Sequence, residues 1–191
     1  MEYNVQPLRS EFEIQEFIQA LYHGKNAQRN YVLVLLGINT GLRMSDILNL
    51  TVGQVRGQDQ AIIREIKTGK RRWLFLGKLK KILSDYTTEM QDEDPLFPGR
   101  DGAMTVNGVY KLFHRAAVRI GRDDIGTHTL RKTFGYHYYR QTHDIATLMV
   151  VFNHSSEEIT KRYIGLSRDE LEASLSQFEL GIPQLMHPGI F

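Results

Sequence analysis

Four residues in the C-terminal half of the chain have the types and order needed to grip a phosphate and attack it with a hydroxyl. His128 and Arg131 stand three positions apart in THTLRKTF, on one face if that segment is helical. His154 follows 23 residues after Arg131, and Tyr163 comes nine residues after His154, in FNHSSEEITKRYIG. A guanidinium offers a planar fork of donors to phosphate oxygens, an imidazole moves protons near neutral pH, and a phenol is a nucleophile once activated. Two cations further upstream suit the same task. Arg43 in NTGLRMSDILNL has Asp46 close by to orient it, and Lys67 in IKTGKRRWLFL is a mobile ammonium able to protonate a leaving oxygen. The expectation is that these six residues converge on one site.

Taken singly, each has a plainer reading. Arg43 can cap a turn and pair with Asp46, and Lys67 can be a solvated charge at a hairpin tip. His128 and Arg131 can decorate a helix start, His154 can neighbour a helix cap, and Tyr163 can be a half-buried aromatic. The joint order and context of the six are what set the plainer readings aside.

The elements that must position them follow from local pattern. Ser10 and Glu13 form a capping-box pattern ahead of a helix over about 11–23. Asn30 to Asn39 is apolar nearly all round, which predicts a buried helix broken at Thr40-Gly41. Met44 to Leu50 resumes the helical pattern, with Ser45 or Asp46 able to cap its start. Residues 61–76 change to a strand period, with Gly69 in the turn of a hairpin and Lys67 at its tip. Helices are expected near 78–90, over Thr105 to Ile120 with Val106, Val109, Tyr110, Leu112 and Phe113 apolar, over Leu130 to Gln141, over Ile145 to Phe152 and over Glu157 to Tyr163. Arg168 to Leu180 is amphipathic through Leu171, Leu175 and Phe178. The predicted fold is therefore mainly α with a small antiparallel β-hairpin. The predicted division is a catalytic domain over 1–166, including the first helix at about 10–23, and a C-terminal helix and tail over 167–191.

Composition bounds the class. The chain has 191 residues, enough for one sizeable core, and an ordinary hydrophobic fraction of 41%. With no cysteine it can form neither a disulfide nor a thiolate metal site, which suits an intracellular setting. It carries no signal-peptide pattern and no apolar run long enough to span a membrane. A net charge of +2 argues little, but its distribution argues more. Arg64, Lys67, Lys70, Arg71, Arg72, Lys78, Lys80 and Lys81 crowd one segment, diluted by Glu65. Such a stripe can track a phosphate backbone, or can be the solvated edge of a hairpin.

GLRMSDILNL, IKTGK, HTLRKTF and NHSSEEITKRYIG, in that order, closely resemble the catalytic domain of the tyrosine recombinases, which include phage and transposon integrases. The resemblance covers about residues 28–166. It implies that Arg43 and Arg131 bind the scissile phosphate and that His128 is the histidine three before the second arginine. It implies that His154 fills a position that is histidine or tryptophan in the family. Lys67 corresponds to a hairpin lysine used as general acid, Tyr163 to the nucleophile, and Asp46 to a supporting acid. Lys70, Arg71 and Arg72 are expected to contact DNA. Two departures stand out. Asn153 occupies the place of a small glycine before His154. Family members also usually carry an N-terminal helical domain that clamps DNA, whereas only about 27 residues precede the resemblance here. The expectation is a fragment of a longer integrase or a minimal protein.

The resemblance implies site-specific cleavage and rejoining of double-stranded DNA through a 3′-phosphotyrosyl link, with no metal, ATP or other cofactor. It further implies self-association into a tetramer on DNA, a cytoplasmic, nucleoid-associated location and a role in the movement of DNA elements. The rival readings are a non-catalytic DNA-binding or regulatory fragment, a type IB topoisomerase-like enzyme, and a helical interaction protein with no DNA role. Whether Tyr163 is docked or displaced in the free protein stays open at this level.

Overall fold

A computed structural model of the chain describes residues 5–176. Nine α-helices and one two-stranded antiparallel hairpin appear among the described residues. The helices are α1 (Glu11–Leu21), α2 (Ala27–Thr40), α3 (Met44–Leu48), α4 (Lys80–Tyr86), α5 (Val106–Arg119), α6 (Thr129–Thr142), α7 (Ile145–Phe152), α8 (Glu157–Ile164) and α9 (Leu166–Ser176). Strands β1 (Gln60–Arg64) and β2 (Arg71–Phe75) lie between α3 and α4. The mainly α architecture with one small hairpin is thus as the sequence predicts.

Side-chain caps account for several boundaries. Ser10 accepts from the Glu13 amide at 3.1 Å and Thr105 from the Gly108 amide at 3.0 Å, satisfying donors that a helix start leaves open. Asp144 and Ser156 do the same for α7 and α8. The start of α3 departs from expectation. Arg43 occupies the cap position with extended backbone, and neither Ser45 nor Asp46 caps it. Asp46 lies inside the first turn, and its carboxylate reaches across to the hairpin instead.

The large core joins α1, α2, α3, α5 and the first turn of α6. Phe17 and Phe113, both fully buried, meet edge to face at 5.1 Å across α1 and α5. Val106, predicted apolar-side, is instead 42% exposed, because the buried stripe of α5 runs through Val109, Phe113, Ala116 and Ala117. A smaller cluster of Tyr136, Leu148, Phe152, Ile164 and Leu166 holds α6, α7 and α8 together. Helix α6 belongs to both clusters, through Leu130 in one and Tyr136 in the other.

Close approach at glycines sets the helix spacing. A Cβ on Gly37 of α2 would lie 2.5 Å from Leu130 of α6. A Cβ on Gly135 of α6 would lie 2.6 Å from Ile164 of α8 and 2.7 Å from Phe152 of α7. At the far end of the chain, Leu175 is exposed on α9, while Phe178 lies outside the described residues. Gly135→Ala is expected to overpack the α6–α8 contact and destabilise the fold by about 1–3 kcal/mol in denaturant unfolding. An unchanged midpoint would contradict this packing.

Candidate active site

Tyr163 is placed by the short helix α8. Ser156 caps the helix, Glu157 and Glu158 lie in its first turn, and Gly165, at φ 86°, ends it. The residue after the tyrosine, Ile164, presses onto Gly135, which fixes how deeply α8 sits. The Tyr163 ring then meets Phe152 at 5.3 Å and His154 at 5.1 Å, both steeply inclined. The Lys132 ammonium lies 5.2 Å from the ring centroid. The phenol oxygen is 3.2 Å from Nδ1 of His128. The tyrosine is therefore docked in the free chain.

The electrostatics of that pair oppose free ionisation of the phenol. Burial pushes the Tyr163 pKa above its ordinary 10.0, although Arg131 and Arg43 pull the other way. His128 keeps part of its ring open to solvent, yet protein atoms on its packed side push its pKa below 6.5. The charges of Arg131, Lys132, Arg43 and Lys67 push it further in the same direction. A neutral imidazole protonated on Nε2 can accept at Nδ1, so the geometry suits proton transfer from the phenol. His154 is likewise lowered, first by burial and then by Arg131 and Arg43, and its Nδ1 lies 3.2 Å from the Thr160 hydroxyl.

Arg131 is buried and held from two sides. It donates to the Gly41 carbonyl at 2.6 Å and to the Phe152 carbonyl at 3.3 Å, with its guanidinium 4.5 Å from the Phe152 ring centroid. Burial lowers its pKa to about 10, so it stays charged at neutral pH. Gly41 ends α2 at φ 59°, and a Cβ there would lie 2.3 Å from Phe134. That tight turn both supplies the carbonyl for Arg131 and delivers Arg43 two residues later. Arg43 donates to Glu65 at 2.8 Å, whereas Asp46, expected to orient it, stands 3.8 Å away. Asp46 accepts the Ile66 amide at 2.8 Å, so its nearer partner is the hairpin turn.

That turn, residues 65–70, carries Lys67 in an exposed position. Its charge reaches the site, since it is among those lowering the His128 pKa. Lys70 donates to the Asn153 side chain. Asn153 itself adopts φ 56° at the end of α7, a left-handed conformation that asparagine tolerates better than most residues. The turn into His154 is therefore kept without the glycine.

The three basic hairpin residues part company. Arg71 begins β2 opposite Arg64 and is exposed. Arg72 is not available in the way the sequence reading expects. Strand alternation puts it on the same face as Leu74 and opposite Ile63, turned toward the body of the protein. There it donates to Thr40 and Val151 carbonyls at 2.6 and 3.2 Å and pairs with Glu65 at 3.3 Å. Residues that the sequence reading passes over include Glu65, Thr68, Phe152 and Lys132. The i, i+4 spacing of Lys132 from His128 is a signal that places it on the same helix face. Glu65 has a weaker one, as the single acid in a basic run.

The phage integrase family model matches residues 9–170 of the chain. The chain is 44% identical over 177 residues to the probable integrase/recombinase YoeC of Bacillus subtilis, covering 91% of this chain and 97% of that protein. It is 25% identical to the tyrosine recombinase XerH of Campylobacter jejuni over 85% of this chain, but spans only 49% of that protein. Among solved structures, the catalytic domain of bacteriophage HP1 integrase matches with a TM-score of 0.61 at 23% identity, over 93% of this chain and 98% of that one. XerH recombinase in a post-cleavage complex with palindromic difH matches with a TM-score of 0.68 at 22% identity, over 92% of this chain and 54% of that one. The aligned span takes in every element that positions Tyr163, His128 and the two arginines, and the chain belongs to the phage integrase family, with the fold of a tyrosine recombinase catalytic domain.

Proposed function

We propose that this chain cuts and rejoins DNA strands at specific sites through a 3′-phosphotyrosyl link to Tyr163. The observation that carries the reading is the 3.2 Å contact between the Tyr163 hydroxyl and Nδ1 of His128, beside Arg131. As the phenol oxygen bonds to phosphorus, its proton passes to neutral His128. Arg43, Arg131 and His154 hold the non-bridging oxygens and stabilise the charge that builds there. The bond from phosphorus to the 5′ oxygen breaks, and Lys67 supplies that oxygen with a proton. Rejoining reverses each transfer, with the incoming 5′-hydroxyl giving its proton to Lys67 and His128 returning one to Tyr163. The phosphodiester energy stays in the covalent link, so the cycle consumes no nucleotide and calls for no metal.

Duplex DNA as partner is supported by relatives such as XerH bound to difH and lambda integrase bound to a core site. Exposed Lys70 and Arg71 suit the phosphate backbone, and Asp46 supports the site by holding the hairpin turn. Exchanging both strands of two duplexes needs four cuts and one tyrosine for each, which points to a tetramer on DNA. An apolar groove of about 590 Å³ between β2, α6 and α7, with Trp73 and Phe75 exposed at its edge, is a surface such an assembly could bury. None of the described helices is long and apolar enough to cross a membrane. A nucleoid-associated location follows from the DNA role.

Nicked duplexes of randomised sequence, which lose the released fragment after cleavage, test the reading directly. The expected result is a denaturation-resistant adduct that forms in chelator and vanishes in Tyr163→Phe, while salt-sensitive binding persists in that variant. Binding without any adduct would favour the DNA-binding-module reading instead. The pH profile gives a second check. Protonated His128 cannot accept a proton, so kcat/KM for cleavage should fall as pH drops, with its midpoint below 6.5 because the His128 pKa is lowered. His128→Gln should be slower by about 10²- to 10⁴-fold and should lack that limb. A midpoint above 6.5 would contradict the environment described for His128. Arg71→Ala should reduce the salt slope of binding by about 1, whereas Arg72→Ala should act mainly on thermal stability.

A further inference from the structure

We infer that Glu65 is a positioning residue that seats the phosphate-gripping Arg43 and the turn bearing Lys67 against one another, so that grip and leaving-group protonation are set by a single buried carboxylate. The inference rests on the reading of Lys67 as the proton donor. Glu65 is 5% exposed, and both of its oxygens are engaged. Oε2 accepts from Arg43 at 2.8 Å and from the Thr68 hydroxyl at 2.8 Å, and Oε1 accepts from Arg72 at 3.3 Å. Arg43 caps α3, Thr68 follows Lys67 directly, and Arg72 anchors β2 to carbonyls of α2 and α7. One side chain therefore meets three elements at the point where they approach the site.

The local backbone amplifies this. The Glu65 amide donates to the Lys70 carbonyl at 2.9 Å, and its carbonyl accepts from the Gly69 amide at 2.8 Å, closing the turn around Lys67. Thr68 also accepts from the Lys70 amide at 3.3 Å, so its hydroxyl joins the carboxylate to the far side of the turn. Burial alone would push Glu65 toward the neutral form. Hydrogen bonds from Thr68 and Arg43, and the Arg43 charge, outweigh it and keep the carboxylate ionised. Lys67 has an exposed, many-rotamer side chain, and fixing its backbone narrows where the ammonium can reach. Glu65 bonds to Arg43, Arg72 and Thr68, and Thr68 to Glu65 and the Lys70 amide, so both act through the residues they hold.

The test separates proton donation from general loss of structure. A bridging sulfur in place of the scissile 5′ oxygen leaves as a thiolate, which needs no proton because a thiol has a pKa of only about 8.5. The substrate is a duplex recovered from the trapped adducts, made with either oxygen or sulfur at that position. Thr68→Ala breaks the link to the turn while leaving Arg43 on Glu65. It should slow cleavage of the oxygen substrate about tenfold and stay within about twofold of the parent chain on the sulfur substrate. Glu65→Gln also weakens the hold on Arg43, so sulfur should restore only part of its loss. Equal slowing of Thr68→Ala on both substrates, or no slowing on oxygen, would overturn the inference. Lys67→Ala is the control for the underlying reading. If sulfur fails to rescue Lys67→Ala, the assignment of Lys67 falls and the inference with it. If sulfur rescues Lys67→Ala but not Thr68→Ala, the inference alone fails.

Discussion

The contact of α8 with α6 at Gly135 is the constraint on which the site depends. A side chain at that position would push Ile164 outward, and Tyr163 is the residue directly before Ile164. With the two helices pressed together, the phenol lies between Phe152, His154 and Lys132 and reaches His128. The small cluster around Tyr136, Leu148, Phe152 and Ile164 buries little apolar area compared with the main core. Its hold on α8 is correspondingly modest. Tyr163, the proposed nucleophile, is thus carried by the element with the smaller share of packing, while the arginines stand on α6 and at the start of α3, which the main core holds.

That frame solves a second problem, the burial of several positive charges close together. Arg131 is buried against the Gly41 and Phe152 carbonyls, whose lone pairs point at its donors. Arg72 relies on the same device with Thr40 and Val151, and on Glu65, which it shares with Arg43. Backbone carbonyls orient a guanidinium without cancelling its charge, so Arg131 remains attractive to an incoming anion. Burial first, and then the same concentration of cations, lowers the pKa values of His128 and His154. The site concentrates positive charge, and both histidines favour the neutral form.

Much of this was legible in the residues. The helix start at Ser10 followed from capping chemistry, the helix from Thr105 from its apolar pattern, and the hairpin from its change of period and its glycine turn. The resemblance carried jointly by GLRMSDILNL, IKTGK, HTLRKTF and NHSSEEITKRYIG is what implied that His128, Arg131, His154 and Tyr163 share one site. Less legible were relationships set by strand alternation and by three-dimensional pairing. Arg72 looked like its neighbour Arg71, yet a period of two turns adjacent residues to opposite faces. Asp46 looked like the partner of Arg43 because it is near in sequence, whereas Glu65, 22 residues away, meets Arg43 at 2.8 Å. Sequence proximity is a poor guide where a hairpin folds back over a helix start.

The docked state of the tyrosine in the DNA-free chain is the claim most directly open to measurement. Tyrosine labelled with ¹³C at the ring carbon bearing oxygen, assigned with Tyr163→Phe, reports both its titration and its neighbours by NMR. Burial should hold the Tyr163 phenol protonated beyond the ordinary value of 10.0, with cross-relaxation from its ring to that of His128. A Tyr163 resonance that titrates at the ordinary value and shows no contact with His128 would place Tyr163 outside the site and contradict the account.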